Sequence, residues 1–247
     1  MTVDIAVLRQ KIHGLGPDGY AEILQDHLPE KTVAQARTPA EERELLSEAT
    51  VATGAHLDPD LLEAATNLEL FACVYAGTDH LPMEDLAAHG VAVTSGAGVH
   101  GTNVAEHVLG MMLTFARKFH LAWRGKERRE WRSFQTRELQ DSTVTIVGLG
   151  AIGQSIVARL EPFGVETIGI RNSPEKGGPT DEVHGFEEDA FHDALSRSEY
   201  VVIAAPLTDK TESLIDRDAF LSMPPEAVLV NVGRGPIVDT DALIGTI

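Results

Sequence analysis

The sequence predicts an α/β protein in which helices cover parallel sheets, with two domains at residues 1–98 and 99–247. Its 247 residues are enough for two modest domains with buried cores. Short apolar stretches alternate with helical stretches, the order typical of β–α units. A glycine-rich break from Ser95 to Gly101 interrupts this alternation, and a second glycine-rich segment, Gly148 to Gly153, directly follows an apolar stretch.

The first domain is predicted from apolar stretches that are separated by proline-initiated helices. Proline at the first turn of a helix loses no hydrogen bond, and acidic residues near that end favour the helix dipole. The predicted strands are Val3–Leu8, Thr50–Thr53, Leu68–Tyr75 and Val91–Thr94. The predicted helices are Pro17–His27, Pro39–Ala49, Asp58 to about Thr66, and Pro82–His89.

The second domain is predicted to open with one long helix, Thr102 to Trp123, which Thr102 or Asn103 can cap. A second β–α series follows. Its predicted strands are Thr143–Gly148, Glu166–Ile170, Tyr200–Ala204 and Ala227–Asn231. Its predicted helices are Ile152–Pro162, Glu187–Arg197 and Asp216–Leu221, and a further helix begins at Asp239.

Charge and composition exclude several classes of function. Asp and Glu total 38 against 20 Lys and Arg, a net charge of -18, which repels nucleic acids and anionic membranes. We interpret this charge as an adaptation to a salty, halophilic cytoplasm, where screening weakens self-repulsion. The single cysteine, Cys73, excludes an internal disulfide framework. Since no apolar stretch reaches the ~20 residues of a membrane span and the start lacks a basic signal region, we expect a cytoplasmic protein.

One segment is basic in this acidic chain. Arg117–Arg137 holds eight Lys or Arg against two acidic residues. A solvated helix end, a subunit contact and an anion site all fit this pattern, whereas a nucleic-acid site does not, because no recognised motif accompanies it.

A glycine fingerprint predicts a dinucleotide site. Thr143–Val147 reads as a strand that runs into Gly148-x-Gly150-x-x-Gly153 and then into a helix. Gly148 would permit the tight turn, Gly150 would let a pyrophosphate approach the backbone, and Gly153 would let the helix pack on the strand. The phosphates would then meet the positive end of the helix dipole.

The end of the next strand predicts that NADP(H) is preferred over NAD(H). NAD enzymes usually place an acid there for the ribose 2′-hydroxyl, but this strand ends in Arg171, Asn172 and Ser173. A guanidinium can pair with a 2′-phosphate in a bidentate manner, and Lys176 could add charge. The alternative is that Arg171 is an ordinary surface residue and NAD binds without an acidic partner.

Taken together, the motifs resemble the D-isomer-specific 2-hydroxyacid dehydrogenase family. The matching segments occur in the family's order and near its spacing, from residue 71 to the end. They are Tyr75–Asp79, Thr102–His107, Val147–Gly153, Ala205–Thr211 and Asn231–Asp239. The resemblance implies a flavodoxin-like substrate domain at 1–98, a Rossmann cofactor domain at 99–247, and reduction of 2-oxo acids to D-2-hydroxy acids. It also implies a homodimer, with the long helix and its basic continuation as candidate contacts.

The resemblance also implies roles for individual residues. Arg234 matches the catalytic arginine, a fixed cation that would hold the substrate carboxylate and polarise the adjacent carbonyl. The backbone amides of Ala76 and Gly77 would receive the same carboxylate, and Tyr75 would line that pocket. The remaining implied cofactor contacts are Thr102, Leu149, Ala151, Ile152, Ala205, Pro206, Thr211, Val232 and Gly233.

Other chemically suggestive residues are assigned to packing or left without a role. Cys73, Met111, Met112 and Trp123 are predicted to be packing residues. The ten histidines show no metal-ligand spacing, so no metal site is predicted.

The resemblance ends before the family's proton donor. Members usually continue past Asn-x-x-Arg-Gly to a glutamate and then a histidine, and the sequence has no match for either. A fragment of a longer enzyme, a degenerate cofactor-binding protein, and a substitute acid such as a histidine are the explanations considered. We expect the 247-residue chain to bind NADPH weakly and to reduce 2-oxo acids negligibly. Formate or phosphite oxidation is the alternative chemistry, and a sensor or corepressor-like module of the same fold is the non-catalytic alternative.

Overall fold

The computed structural model describes residues 3–10 and 14–246, which form two compact units. The units are Met1–Val99 and His100–Ile247, a division one residue beyond the expected boundary. Each unit has its own parallel sheet.

The first unit has the strand order of a flavodoxin-like sheet. Its elements are β1 (Ile5–Val7), α1 (Pro17–His27), β2 (Val33–Gln35), α2 (Pro39–Glu48), β3 (Val51–Gly54), α3 (Pro59–Leu62), β4 (Leu70–Cys73), α4 (Met83–Ala88) and β5 (Ala92–Ser95). The described strands pair in parallel in the order β2-β1-β3-β4-β5. This is the 2-1-3-4-5 order, in which ligands bind beyond the carboxyl ends of the strands.

The core of the first unit is apolar and close to fully buried. Phe71 in β4 and Leu46 in α2 have no exposed surface, and Cys73 is 4% exposed, as predicted for a packing residue. The buried Glu42 accepts hydrogen bonds from the backbone amide and Nε of Arg9, at 3.1 and 2.8 Å. This pairing supplies the charge partner that a buried carboxylate requires.

The second unit has the strand order of a Rossmann sheet. Its elements are α5 (Gly101–Ala116), α6 (Phe119–Arg128), β6 (Thr143–Val147), α7 (Ala151–Leu160), β7 (Glu166–Ile170), β8 (Glu182–His184), α8 (Glu188–Ser196), β9 (Tyr200–Ile203), α9 (Arg217–Ser222), β10 (Val228–Asn231) and α10 (Thr240–Thr246). The described strands pair in parallel in the order β10-β9-β6-β7-β8. The chain therefore reverses its direction of winding between β6 and β9, where α/β sheets bind ligands.

Helices cover both faces of this second sheet. Alternate residues of β6 and β9 point to opposite faces, as the pleat of a strand requires. Val144, Ile146 and Val202 pack with residues of α5 and α7, whereas Val147 and Ile203 pack with residues of α8 and α9. The resulting apolar cores on both faces hold β6 and β9 in register and fix the position of the loops that follow them.

The prediction of one continuous helix from Thr102 to Trp123 is wrong, because the structure has two helices there. The backbone breaks at Arg117 and Lys118, where Lys118 has a φ of 54°, so that α5 ends at Ala116 and α6 begins at Phe119. A left-handed residue cannot continue a right-handed helix. The assignment of Trp123 to packing is also wrong, since it is 63% exposed on α6, and Met111 is 37% exposed, whereas Met112 is buried as predicted.

Two strands were not predicted, and one predicted helix is shorter. β2 and β8 each have three residues at a sheet edge, and α3 ends at Leu62 instead of about Thr66. Ion pairs hold β8 in place, because Arg197 bonds Glu166 of β7 and Glu182 of β8. The hydrogen bonds from Arg197, and then those from His184, lower the pKa of the Glu182 carboxyl to about 2.

None of the helices in the described ranges is both long and apolar enough to cross a bilayer.

Candidate functional site

The turn after β6 can be built only with glycine. Gly148 has a φ of 103°, a conformation that other L-residues rarely adopt. A Cβ at this position would lie 2.6 Å from the backbone nitrogen of Ala205 and 2.7 Å from its Cα. Because Ala205 follows β9, this contact joins the carboxyl ends of the two strands at the winding reversal.

The other two glycines of the fingerprint have different surroundings. A Cβ at Gly153 would overlap the carbonyl oxygen of Gly148, so Gly153 allows α7 to pack directly on the turn. Gly150 is the N-cap of α7, with φ −78° and ψ −166°, and a Cβ there would have no atom of the described residues within 4 Å. The amino terminus of α7 is therefore open at Gly150, where amides and the helix dipole favour an anion.

Leu149 fixes the turn to the neighbouring strand. Its side chain is 3% exposed and packs against Gly169 of β7 and against Gly178. A Cβ at Gly169 would collide with Cδ1 of Leu149, and a Cβ at Gly178 would lie 2.6 Å from the same atom. The middle of the fingerprint is thus held by a hydrophobic contact that needs glycine in β7.

An open cavity of about 540 Å³ lies beside this turn. Nine of the predicted cofactor residues line it: Gly148, Leu149, Gly150, Arg171, Asn172, Ser173, Ala205, Pro206 and Thr211. Four further lining residues were not predicted: Phe186, Thr208, Asp209 and Lys210. Thr208, Asp209 and Lys210 belong to the segment Ala205–Thr211, which the sequence analysis identified as a family motif. Of that segment, however, only Ala205, Pro206 and Thr211 were predicted to contact the cofactor.

The side chains at the end of β7 are held by specific contacts. Nη1 of Arg171 donates a hydrogen bond to the carbonyl oxygen of Gly177 at 2.6 Å, and its backbone amide donates to His184 at 3.0 Å. Oδ1 of Asn172 accepts a hydrogen bond from Nζ of Lys210 at 2.8 Å. Both Arg171 and Asn172 are therefore oriented at the rim of the cavity.

The loop after β9 is held by hydrogen bonds of Thr211. Its hydroxyl is buried, accepts a hydrogen bond from the amide of Thr208 at 2.8 Å, and donates to the carbonyl of Pro206 at 2.7 Å. Thr211 therefore shapes this side of the cavity.

Six predicted cofactor residues of the second unit lie outside the lining of the cavity. Ala151, Ile152 and Gly153 form the first turn of α7, and Thr102 is the exposed second residue of α5. Val232 and Gly233 directly follow β10. The amide of Val232 donates to Ile203 at 2.9 Å, and a Cβ at Gly233 would lie 2.7 Å from the carbonyl oxygen of Ala205.

Arg234 lies in a turn that Asn231 stabilises. Nδ2 of Asn231 donates to the carbonyl of Arg234 at 2.9 Å, and its Oδ1 accepts from the amide of Gly233 at 2.9 Å. Nη1 of Arg234 donates to the carbonyl of Gly233 at 3.2 Å. The arginine is thus held just beyond the carboxyl end of β10, the edge of the sheet at which the glycine turn also lies.

The loop with Tyr75, Ala76 and Gly77 follows β4 in the first unit. The carbonyl of Tyr75 accepts a hydrogen bond from the amide of Gly96 at 2.9 Å, which ties the loop to the end of β5. The ring of Tyr75 meets that of His80 edge to face at 6.1 Å, and Nε2 of His80 lies 2.6 Å from the carbonyl oxygen of Ala55.

A metal centre has no support among residues 3–10 and 14–246, where no cluster of three His, Cys, Asp or Glu side chains is placed to hold an ion.

Comparison with known proteins matches both units. Residues 109–247 match the profile described as D-isomer specific 2-hydroxyacid dehydrogenase, NAD binding domain, and residues 11–173 match the catalytic domain of the same family. The chain belongs to the D-isomer-specific 2-hydroxyacid dehydrogenase family. The glycine turn, its cavity and the two β–α units agree with this membership, and they fit a nicotinamide dinucleotide at the carboxyl ends of β6 and β9.

Named relatives of this dehydrogenase family give the extent of the likeness. A D-3-phosphoglycerate dehydrogenase of Methanocaldococcus jannaschii is 30% identical over 224 residues, 88% of this chain and 42% of the relative. A human glyoxylate reductase/hydroxypyruvate reductase is 32% identical over 199 residues, 76% of this chain and 59% of the relative. The chain therefore spans about two-fifths to three-fifths of the length of these curated relatives.

A solved structure extends the likeness to the whole chain. It is a D-isomer specific 2-hydroxyacid dehydrogenase family protein from Aeromonas salmonicida, with a TM-score of 0.86 and 27% identity. The alignment covers 100% of this chain and 77% of that one.

Alanine substitutions separate the two roles of the fingerprint glycines. We expect Gly148→Ala to lower the free energy of unfolding by about 2 kcal/mol or more, since the Cβ meets Ala205 and the φ is positive. Gly150→Ala keeps that free energy within about 1 kcal/mol, because its backbone conformation suits alanine and its Cβ points into open space. The same methyl group weakens nucleotide binding about tenfold by occupying the approach to α7.

Urea unfolding followed by circular dichroism measures the first quantity, and calorimetric titration with NADPH and NADH measures the second. Equal destabilisation by the two substitutions would contradict this account of the turn.

Proposed function

We propose that this protein is an oxidoreductase that interconverts 2-oxo acids and D-2-hydroxy acids, with NADPH preferred over NADH. The observation that carries the proposal is the glycine turn at the winding reversal, with its cavity bounded by Arg171. A bound nicotinamide nucleotide supplies or accepts the hydride. The chain's own residues bind the nucleotide, hold the substrate and stabilise the charge on its oxygen. The proton that this oxygen gains on reduction has no assigned donor among the described residues.

Arg234 is proposed as the catalytic residue. A guanidinium offers paired N–H donors that match a carboxylate, and its charge stabilises the negative oxygen that develops when a carbonyl is reduced. The turn built by Asn231 fixes the backbone on both sides of this side chain. Such preorganisation lets the cation act without reorganising at the moment of reaction.

The loop after β4 is proposed to bind the substrate carboxylate. Backbone amides of successive residues can form a concave anion site, and Gly77 leaves the approach to such amides unhindered. Tyr75 is proposed to line the same site, where its ring restricts the size of the substrate side chain.

The preference for NADPH is proposed from the residues that follow β7. No acid stands at the end of this strand, where a carboxylate would accept from a ribose 2′-hydroxyl and repel a 2′-phosphate. Arg171, Asn172 and Ser173 offer donors in its place and all line the cavity. The contact of Arg171 with Gly177 orients the guanidinium and uses one nitrogen of a group that carries five N–H donors.

A charge reversal at Arg171 tests the cofactor preference. We expect Arg171→Asp to weaken NADPH binding by at least about tenfold and to leave NADH binding unchanged or stronger, because a carboxylate repels the phosphate and suits the hydroxyl. Calorimetric titration of the two nucleotides measures this ratio. The control is Arg217→Asp, the same charge change on an exposed arginine of α9. An unchanged ratio in Arg171→Asp removes Arg171 from the role.

The binding of oxamate, an unreactive analogue of a 2-oxo acid, tests Arg234. We expect Arg234→Gln to weaken oxamate binding to the NADPH-loaded protein by at least about tenfold, and Arg234→Lys to give an intermediate loss, because lysine keeps the charge but not the paired donors. Titration followed by nucleotide fluorescence provides the measurement. We expect NADPH affinity to be unchanged in both Arg234 variants. The control Arg217→Gln leaves oxamate binding unchanged. Oxamate binding that is equal in wild type and Arg234→Gln would argue against a carboxylate site at this residue.

Self-association is proposed through α6 and the segment that follows it. Phe119, Trp123 and Trp131 are 56, 63 and 98% exposed, and a cavity of about 930 Å³ lies along this region. Exposed aromatic side chains of this size mark interaction surfaces. The basic residues of the segment suit a second copy of this chain, whose net charge is -18.

Substitution of the exposed tryptophans tests this homodimer. We expect the wild-type chain to sediment as a dimer and the double variant Trp123→Glu, Trp131→Glu to sediment as a monomer, since two buried carboxylates would oppose the apolar contact. Leu221→Glu is the matched control, because Leu221 is 64% exposed on α9. A monomeric wild type, or a double variant that remains dimeric, would exclude this surface.

A further inference from the structure

A lysine on a different loop lies against the residues that follow β7. Lys210 belongs to the loop after β9, 38 positions from Asn172, and its Nζ donates a hydrogen bond to Oδ1 of Asn172 at 2.8 Å. Both residues line the cavity beside the glycine turn, together with Arg171 and Ser173. The proposed binding residues for a 2′-phosphate therefore have a cationic neighbour that the sequence did not reveal.

The charge of the cavity depends on this lysine. Arg171, Asp209 and Lys210 are the charged side chains among the described residues that line it. Asp209 offsets one of the two cations, so the lining has a single net positive charge. Without Lys210 the lining would be neutral, and it belongs to a chain whose overall charge is -18. A phosphate dianion would then gain little from entering it.

The hydrogen bond also orients an amide. Because Oδ1 of Asn172 accepts from Lys210, the amide nitrogen of Asn172 is directed away from the ammonium group. That nitrogen carries two donors, which suit a phosphate oxygen. Lys210 therefore adds its own charge and also sets which face of Asn172 is presented.

The loop that carries Lys210 is well fixed. The buried hydroxyl of Thr211, the next residue, bonds both Thr208 and Pro206. A backbone held by such bonds has less conformational entropy to lose when a ligand binds. The side chain of Lys210 therefore extends from a backbone position that is already fixed.

We propose that Lys210 is a specificity-determining residue that binds the 2′-phosphate of the nucleotide together with Arg171. This rests on the proposed function, since it assigns a further residue to the same nucleotide site. The chemistry recognised is a phosphate monoester on the adenosine ribose, and the nucleotide without that phosphate gains nothing from Lys210.

Binding of nucleotides and of their fragments to the purified chain tests the proposal. The ligands are NADPH, NADH, adenosine 2′,5′-bisphosphate and 5′-AMP, titrated by calorimetry. We expect Lys210→Gln to weaken binding of NADPH and of the bisphosphate about tenfold, while NADH and 5′-AMP stay within about twofold. Gln keeps a donor for Asn172 but has no charge, and Lys210→Arg restores most of the affinity.

Two further variants separate charge from local packing. In the double variant Asp209→Asn, Lys210→Gln the lining regains one net positive charge, and we expect NADPH affinity to recover by several-fold over Lys210→Gln alone. Arg217→Gln is the matched control, because Arg217 is an exposed cation of α9 that does not line the cavity. It leaves all four affinities unchanged, and thermal unfolding monitored by circular dichroism confirms that each variant is folded.

The outcomes distinguish this inference from the proposed function. Equal affinities of the wild type for NADPH and NADH would contradict the cofactor preference. A wild type that prefers NADPH, with Lys210→Gln weakening both nucleotides equally or neither of them, would overturn the role of Lys210 alone.

Discussion

The proposed nucleotide site depends on one close backbone contact, between Gly148 and Ala205. It joins the ends of β6 and β9 at the reversal of the winding, with no room for a side chain. Gly153 then brings α7 onto the carbonyl of Gly148, so strand, turn and helix form a single rigid unit. The open amino terminus of α7, the cavity and the loops that carry Arg171 and Thr211 all take their positions from this contact.

The rest of the second unit keeps that contact in place. Apolar residues on alternate positions of β6 and β9 pack against helices on both faces of the sheet, and the two strands cannot slide without exposing them. The polar residues that line the cavity, among them Arg171, Asn172 and Lys210, lie beyond the carboxyl ends of the strands. The fold thus separates stability, which resides in the middle of the strands, from recognition, which resides at their ends.

Much of this architecture was predictable because it depends on local chemistry. Prolines marked the starts of α1, α2 and α3, and the glycine spacing marked the turn after β6. The break between α5 and α6 was not predictable, since Lys118 is neither glycine nor proline and the apolar pattern continues across it. Short edge strands such as β2 were missed because three residues carry too little periodicity to be recognised.

The candidate site shows the same division. Nine cavity residues were found from motifs, because each motif residue has a conformational or chemical reason to be there. Lys210 was missed as a binding residue because its significance comes from a neighbour 38 positions away, Asn172, and only the fold brings the two together. Trp123 was predicted to be a packing residue because large aromatic residues are usually buried, but on α6 it is 63% exposed.

The contact between Leu149 and Gly169 has a consequence for protein engineering. Gly169 does not line the cavity and matches none of the fingerprint positions, yet a larger residue there would force the side chain of Leu149 to shift. A library that redesigned positions 171–173 to switch cofactors, and that also randomised the preceding strand, would change Gly169. In this protein such a library should keep glycine at 169, so that Leu149 retains the contact that ties the turn to β7.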